Sequence, residues 1–186
     1  KVQARERQEY DNRKNIITYK NYRNFVILTQ PTSNSCMHVI NGNSPEYPQG
    51  EWDSIRTIGS YSKIDNVQVD ETPHTPPTIV FGPEPALGWC YYYEKADLAR
   101  QKNNWNQVLE FGTQAFDKKL SPTDPIEWLP FLQAYAQTGN VTRLKELAPT
   151  IKSDPDTVLQ ACHIINSMTG LSKTVTDTVK TLYCPK

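Results

Sequence analysis

Between Trp89 and Ala115 apolar residues fall at helical spacing twice over, with a polar break between the two runs. Trp89, Tyr92, Tyr93, Ala96 and Ala99 recur at i, i+3 and i+4 and make one apolar stripe. After Asn103-Asn104, the residues Trp105, Val108, Leu109, Gly112, Ala115 and Phe116 make a second. This pattern commits the stretch to a helical hairpin. The small residues Ala96, Ala99, Gly112 and Ala115 let its two helices approach closely, with Trp105 filling the end.

The plan returns 36 residues further on, where Tyr92 aligns with Trp128, Trp105 with Val141 and Val108 with Leu144. Literal identities are few, mainly Gln101/Gln137, Asn104/Asn140 and Glu110/Glu146. Asp124 is suited to cap the second hairpin, Pro125 to occupy its first position and Glu127 to complete a capping box. Trp128, Leu132, Tyr135 and Ala136 form the stripe and Thr138-Gly139-Asn140 the turn. Val141, Leu144 and Leu147 line the return helix, which Pro149 is expected to kink or end. A third unit opens on Asp154-Pro155 and places Val158, Leu159, Cys162 and Ile165 in its stripe. Thr169-Gly170 turns the chain into a last helix lined by Val175, Val179 and Leu182. The polar Thr174, Thr176, Asp177, Thr178 and Lys180 suit the closing face of a stack. Three such hairpins are about the minimum for a stable tetratricopeptide-like array.

The first 82 residues read differently. Residues 3–22 are polar with scattered apolar positions and predict a weakly packing helix. Asn24 to Gln30 and Cys36 to Ile40 read as strands, the second stopped by the Asn41-Gly42 turn. Glu51 to Tyr61 reads as a short helix with Trp52, Ile55, Ile58 and Gly59 on one side. Asn66 to Val69 and Thr78 to Phe81 read as further strands, which gives a small sheet of three or four strands with a right-handed βαβ crossover. Five prolines between Pro73 and Pro85 mark the change from sheet to helices. The expected class is α+β: a basic flank over 1–24, a small α/β sheet segment over 25–82 and about three tetratricopeptide-like hairpins over 83–186.

Twenty basic and twenty acidic residues cancel, so no global charge points to nucleic acid. The balance is slightly uneven: residues 1–24 hold seven Lys or Arg against Glu6, Glu9 and Asp11. A basic flank of this kind suits a solvated face or a membrane surface. No apolar run reaches the roughly 18 residues that span a bilayer. Four cysteines, Cys36, Cys90, Cys162 and Cys184, lack C-x-x-C spacing and allow three disulfide connectivities. The pairings worth testing are Cys36 with Cys90 and Cys162 with Cys184; free buried thiols are the alternative.

The pieces Ser35-Cys36, His38-Val39, Asn41-Gly42, Gly82-Pro83-Glu84-Pro85, Trp89-Cys90 to Gln101 and Glu127 to Gly139 resemble the soluble C-terminal part of a family of bacterial multi-pass membrane proteins. The hydrophobic part of that family is similar to glycosyltransferase-type membrane proteins. The likeness covers about residues 34–165. The helical part also resembles tetratricopeptide repeats, with Asn103 where Gly is usual and Lys95 where an apolar residue is expected. The resemblance implies a domain tethered to a membrane through an upstream segment, on the extracytoplasmic side, and implies no catalytic residue.

No phosphate loop, nucleophile elbow or H-E-x-x-H occurs. His38, His74 and His163 are scattered over strand, proline loop and helix, so neither a metal site nor a cofactor is expected. Glu94 and Asp97, flanked by Lys95 and Arg100, read as a solvated helix face with local ion pairs. Paired acids for glycoside chemistry would instead need a fixed separation across a cleft. Tyr92, Tyr93 and Trp128 read as core aromatics, though with Tyr91 they could line a stacking groove. The candidate binding residues are Tyr91, Glu94, Lys95, Asp97, Arg100 and Trp128. They favour a non-enzymatic domain that takes a protein or peptide partner. An accessory glycan-binding domain of a membrane glycosyltransferase is the alternative, and a hydrolase built on the α/β half a weaker third.

Overall fold

The computed structural model describes residues 1–186 apart from 8, 15, 49, 68–74, 84–85, 185–186 and the side chains at 9, 11 and 13. It is an α+β fold. Strands β1 (Glu9–Arg13), β2 (Ile16–Lys20), β3 (Ile27–Thr29) and β4 (His38–Ile40) come first. Helices α1 (Asp53–Ile58) and α2 (Thr78–Phe81) follow. The helical half then runs through α3 (Trp89–Gln101), α4 (Trp105–Asp117), α5 (Leu129–Gln137), α6 (Val141–Ile151), α7 (Pro155–Ser167) and α8 (Lys173–Leu182).

The helical half forms as three consecutive hairpins. α5 packs on both α3 and α4, and α7 packs on both α5 and α6, so each pair leans on the one before it. The 36-residue echo is sharpest at the turns. Asn103 (φ 55°) donates to the Arg100 carbonyl and Asn104 to that of Ala99. Gly139 (φ 73°) and Asn140 make the corresponding bonds to Ala136 and Tyr135. Both are Schellman closures with a left-handed residue at the turn, so Asn103 replaces Gly without changing the geometry. The next residue caps the return helix each time: Asn104 accepts from the Gln107 N–H and Asn140 from that of Arg143.

Close packing follows the small residues. Ala96, Ala99 and Ala115 are buried, and a Cβ on Gly112 would come within 2.9 Å of the Phe131 ring. Trp89, Phe116, Trp128 and Phe131 meet ring to ring at centroid distances of 5.6–6.3 Å and join the first two hairpins. In the third hairpin Asp154 caps α7 as expected, but the buried face is Thr157, Ala161, Ile164 and Ile165. The stripe is rotated from the expected one, and Leu159 is exposed. α8 buries Val175 and Val179, and the Tyr183 hydroxyl donates to the buried Leu144 carbonyl. Pro149 lies within α6, which runs on to Ile151. It sits in the last turn: the N–H it lacks leaves the Lys145 carbonyl without its intrahelical donor, but only two helical residues follow to be displaced.

Two disulfides tie the fold. Cys36–Cys90 fastens the residues before β4 to α3, and Cys162–Cys184 closes α7 on the end of α8. These are the two pairings selected for testing from the sequence.

The N-terminal half departs from expectation in five places. Strands β1 and β2 form an antiparallel hairpin in place of a helix, because Tyr10 and Asn12 alternate with their neighbours at period two, as do Ile17 and Tyr19, with Lys14 (φ 56°) in the turn after β1. The described strands make two separate two-stranded antiparallel sheets, β1–β2 and β3–β4, in place of one sheet with a parallel crossover. The short link between β3 and β4 suffices for antiparallel pairing but not for a crossover. Ile64–Asn66 is a 3₁₀ turn rather than the start of a strand, and residues 68–69 lie outside the described part. Thr78–Phe81 is one helical turn, entered from Pro77 and closed by Gly82 (φ 76°), with Ile79, Val80 and Phe81 exposed. α1 forms where expected, but Trp52 is 70% exposed and the helix buries none of its own residues.

Candidate functional site

Three features lie where the N-terminal half meets the hairpins. The innermost is Glu127, which is fully buried. Its carboxylate accepts from the Cys36 N–H (2.7 Å) and the Trp89 Nε1–H (2.6 Å) and lies 3.2 Å from His38 Nε2. The expected capping box is therefore absent. The Asp-Pro-x-Glu spacing does put a cap at Asp124, which accepts from the Ile126 N–H. The Glu127 side chain instead turns inward to three partners from other elements, a better exchange for a buried carboxylate than one local bond. Beside it Ser35 Oγ donates to Asp124, whose carboxyl is raised by burial against the opposing hydrogen bond from Ser35. His38, Asp124 and Glu127 offer ligand atoms within 4.8 Å of one another, the geometry of a small cation site. The donors already on Glu127 compete with that role. His74 lies outside the described residues, and His163 is not part of this cluster.

The second feature is an ion-pair cluster. Arg100 pairs with Asp97 at 2.6 Å and with Glu46 at 3.0 Å, and Gln101 donates to the second Asp97 oxygen at 3.2 Å. The Asp97 and Arg100 side chains are only 9% and 13% exposed. They are thus not on the solvated face expected for them, because Glu46 arrives from a loop 54 residues upstream to cover the pair. Burial raises the Glu46 carboxyl; Arg100 opposes that shift and Asp97 adds to it. Burial would lower the Arg100 guanidinium, but Asp97 and Glu46 outweigh it and hold it above its ordinary value. Burial, reinforced by Asp97, likewise raises the Tyr93 phenol well above its usual range. The next residue of the same loop clamps α7. The Tyr47 N–H donates to Gln160 Oε1 and the Gln160 amide donates back to the Tyr47 carbonyl, each at 2.7 Å. The chain's own segment thereby lies across α3 and α7, with Gln133 of α5 beside Glu46.

The third feature is open. A cleft of about 460 Å³ lies at the N-terminal end of α3, lined by Leu87, Tyr91, Glu94, Asn34, Ser121 and Thr123 among others, with Cys90 of the first disulfide in its wall. Tyr91 is 37% exposed and edge-on to buried Tyr92, and Lys95 lies 5.9 Å from the Tyr91 ring centre. Burial raises the Glu94 carboxyl, against a hydrogen bond from the Met37 backbone. Of the six candidate residues, Tyr91 and Glu94 line this cleft and Lys95 flanks it. Asp97 and Arg100 belong to the ion-pair cluster, and Trp128 is buried in the aromatic core. The sequence offers Glu127 only as a capping residue and does not single out Glu46 or Gln160, because their partners lie 38 to 113 residues away.

No family model, no curated protein and no solved structure matches the chain.

Proposed function

We propose that this chain is a non-enzymatic, tetratricopeptide-like interaction module, the exposed part of a larger bacterial membrane protein, and that it takes a peptide segment of a protein partner in the cleft beside Tyr91. The cleft carries the reading. It has the size of a small-ligand site, an apolar wall at Leu87 and Tyr91, and few polar groups placed to orient a guest. The acid at Glu94 favours a guest that brings a hydrogen-bond donor or a cation. Segment 46–47 lies across α3 and α7, so the face it covers is a poorer candidate for the same role. The buried acids are spent on fixed donors inside the protein: Glu127 on three, Asp97 and Glu46 on Arg100. That arrangement favours packing over acid–base chemistry. Two disulfides fit an oxidising compartment and therefore an extracytoplasmic position.

The alternative, an accessory glycan-binding domain of a membrane glycosyltransferase, draws on the exposed Tyr91 ring, a surface on which a sugar can stack. A peptide array and a glycan array screened with the same protein decide between the two. Peptide binding that Tyr91→Ala or Glu94→Gln weakens supports the first reading. Glycan binding without peptide binding replaces it with the second.

A further inference from the structure

We propose that the N-terminal hairpin is a docking surface for an anionic lipid bilayer. Its register places Tyr10 opposite Tyr19 and Asn12 opposite Ile17, so these four side chains share one face. None of them is charged and all are exposed: Tyr10 by 56%, Ile17 by 52% and Tyr19 by 65%. The two tyrosine rings lie tilted against each other across the strands, with centroids 5.8 Å apart. Ile16, next to the turn and on the opposite face of the hairpin, is 66% exposed. A two-stranded hairpin is marginal in water unless its apolar face is covered, and every described residue of β2 is exposed.

Charge selects what covers it. Lys14 stands at the tip of the hairpin, Lys20 at the far end of β2, where the register pairs it with Glu9 on the face opposite Tyr19, and Arg7 just ahead of β1; all three cations are exposed. Seven of the twenty basic residues fall within the first 24, against three acids, which leaves thirteen basic and seventeen acidic residues in the rest of the chain. An anionic surface therefore attracts the hairpin end and repels the remainder, and so orients the molecule. Each Lys or Arg close to such a surface is worth about fivefold in partitioning. Tyrosine, apolar in its ring and polar at its tip, suits the headgroup layer. A protein partner would cover the same face without needing the basic rim. This surface is separate from the Tyr91 cleft, and each can fail without the other.

The test is co-sedimentation of the 186-residue chain with phosphatidylcholine vesicles, with and without phosphatidylglycerol. Binding is expected with phosphatidylglycerol, is weaker without it and falls as salt rises. Lys14→Glu with Lys20→Glu lowers the partition coefficient at least about tenfold. Ile17→Ser with Tyr19→Ser lowers it several-fold, while Tyr91→Ala leaves it unchanged. All of these positions are exposed, and an unchanged far-UV spectrum serves as the folding control. The proposal is overturned if the wild type ignores phosphatidylglycerol vesicles or if neither paired substitution matters. A solution dimer that Ile17→Ser with Tyr19→Ser dissolves would overturn it too, in favour of a second copy on this face.

Discussion

Trp89 donates its indole Nε1–H to Glu127 at 2.6 Å, a single bond that links the first residue of α3 to the start of the second hairpin. The other Glu127 oxygen accepts from the Cys36 N–H and faces His38, so the β3–β4 segment is drawn to the same point. One buried carboxylate thus joins three parts of the fold. Glu127→Ala strands all of these donors in a dry interior and is expected to cost about 3–5 kcal/mol. Trp89→Phe keeps most of the ring packing but leaves one acceptor unpaired, at about 1–3 kcal/mol. Denaturant unfolding of both single variants and the double variant measures the coupling. Fully additive losses would show that the bond carries little.

Gly112 marks how closely the first two hairpins approach. A methyl group there would meet Phe131 ring atoms at 2.9 and 3.0 Å and the Phe116 ring at 3.3 Å. Both rings belong to the aromatic cluster with Trp89 and Trp128, so neither can swing away without disturbing the others. Gly112→Ala should lose about 1–3 kcal/mol through overpacking, although alanine ordinarily favours a helix. The control is Gln114→Ala, at an exposed position of the same helix, where little change is expected.

Local pattern made some of this legible and long-range pairing hid the rest. The hairpins could be read because each apolar stripe, cap and turn lies within one short window, as Asn104 and Asn140 show by capping the same way 36 residues apart. Glu127 could not be read, because the Asp-Pro-x-Glu spacing is the same whether the acid caps its own helix or reaches Cys36 and Trp89. Asp97 and Arg100 sit three apart on one helix, as a surface pair would, and nothing nearby in sequence announces Glu46. Ile16, Ile17 and Tyr19 gave a mixed signal in which the period-two alternation was the true one. Tyr91 and Glu94 were legible as the exposed part of an otherwise buried helix, and they are the residues that line the cleft.

The disulfides should contribute unequally. Cys36–Cys90 spans 54 residues and Cys162–Cys184 spans 22. On loop-closure entropy alone they are worth roughly 4 and 3 kcal/mol. Cys36→Ser with Cys90→Ser also releases β4 from α3 and loosens the surroundings of Glu127, so its loss should be the greater. Thermal unfolding of the two double-serine variants without reductant ranks them. Equal stabilities would show that the residual order of the unfolded chain, rather than loop length, sets their worth.

The ion-pair cluster sets an unusual direction for the pH dependence. Burial raises the Glu46 carboxyl above its ordinary 4.5 in the folded chain, with Arg100 opposing the shift only in part. Between that value and its folded pKa, Glu46 holds more of its proton when folded than when unfolded. Its contribution to stability is therefore fully present below about pH 4.5 and is lost as pH rises through the folded pKa. Glu94 and Asp124, also raised by burial, act in the same sense. Over this window the three acids should make the protein less stable as pH rises, the reverse of ordinary carboxylate behaviour. Glu46→Gln removes one of them, so the variant's stability should decline less steeply over the same range even though Arg100 loses one of its two acidic partners. Denaturant midpoints of the two proteins, measured from about pH 4 to pH 7 at fixed salt, give the comparison. Parallel curves would mean that Glu46 titrates alike in the folded and unfolded chain, and that Arg100 fully offsets its burial.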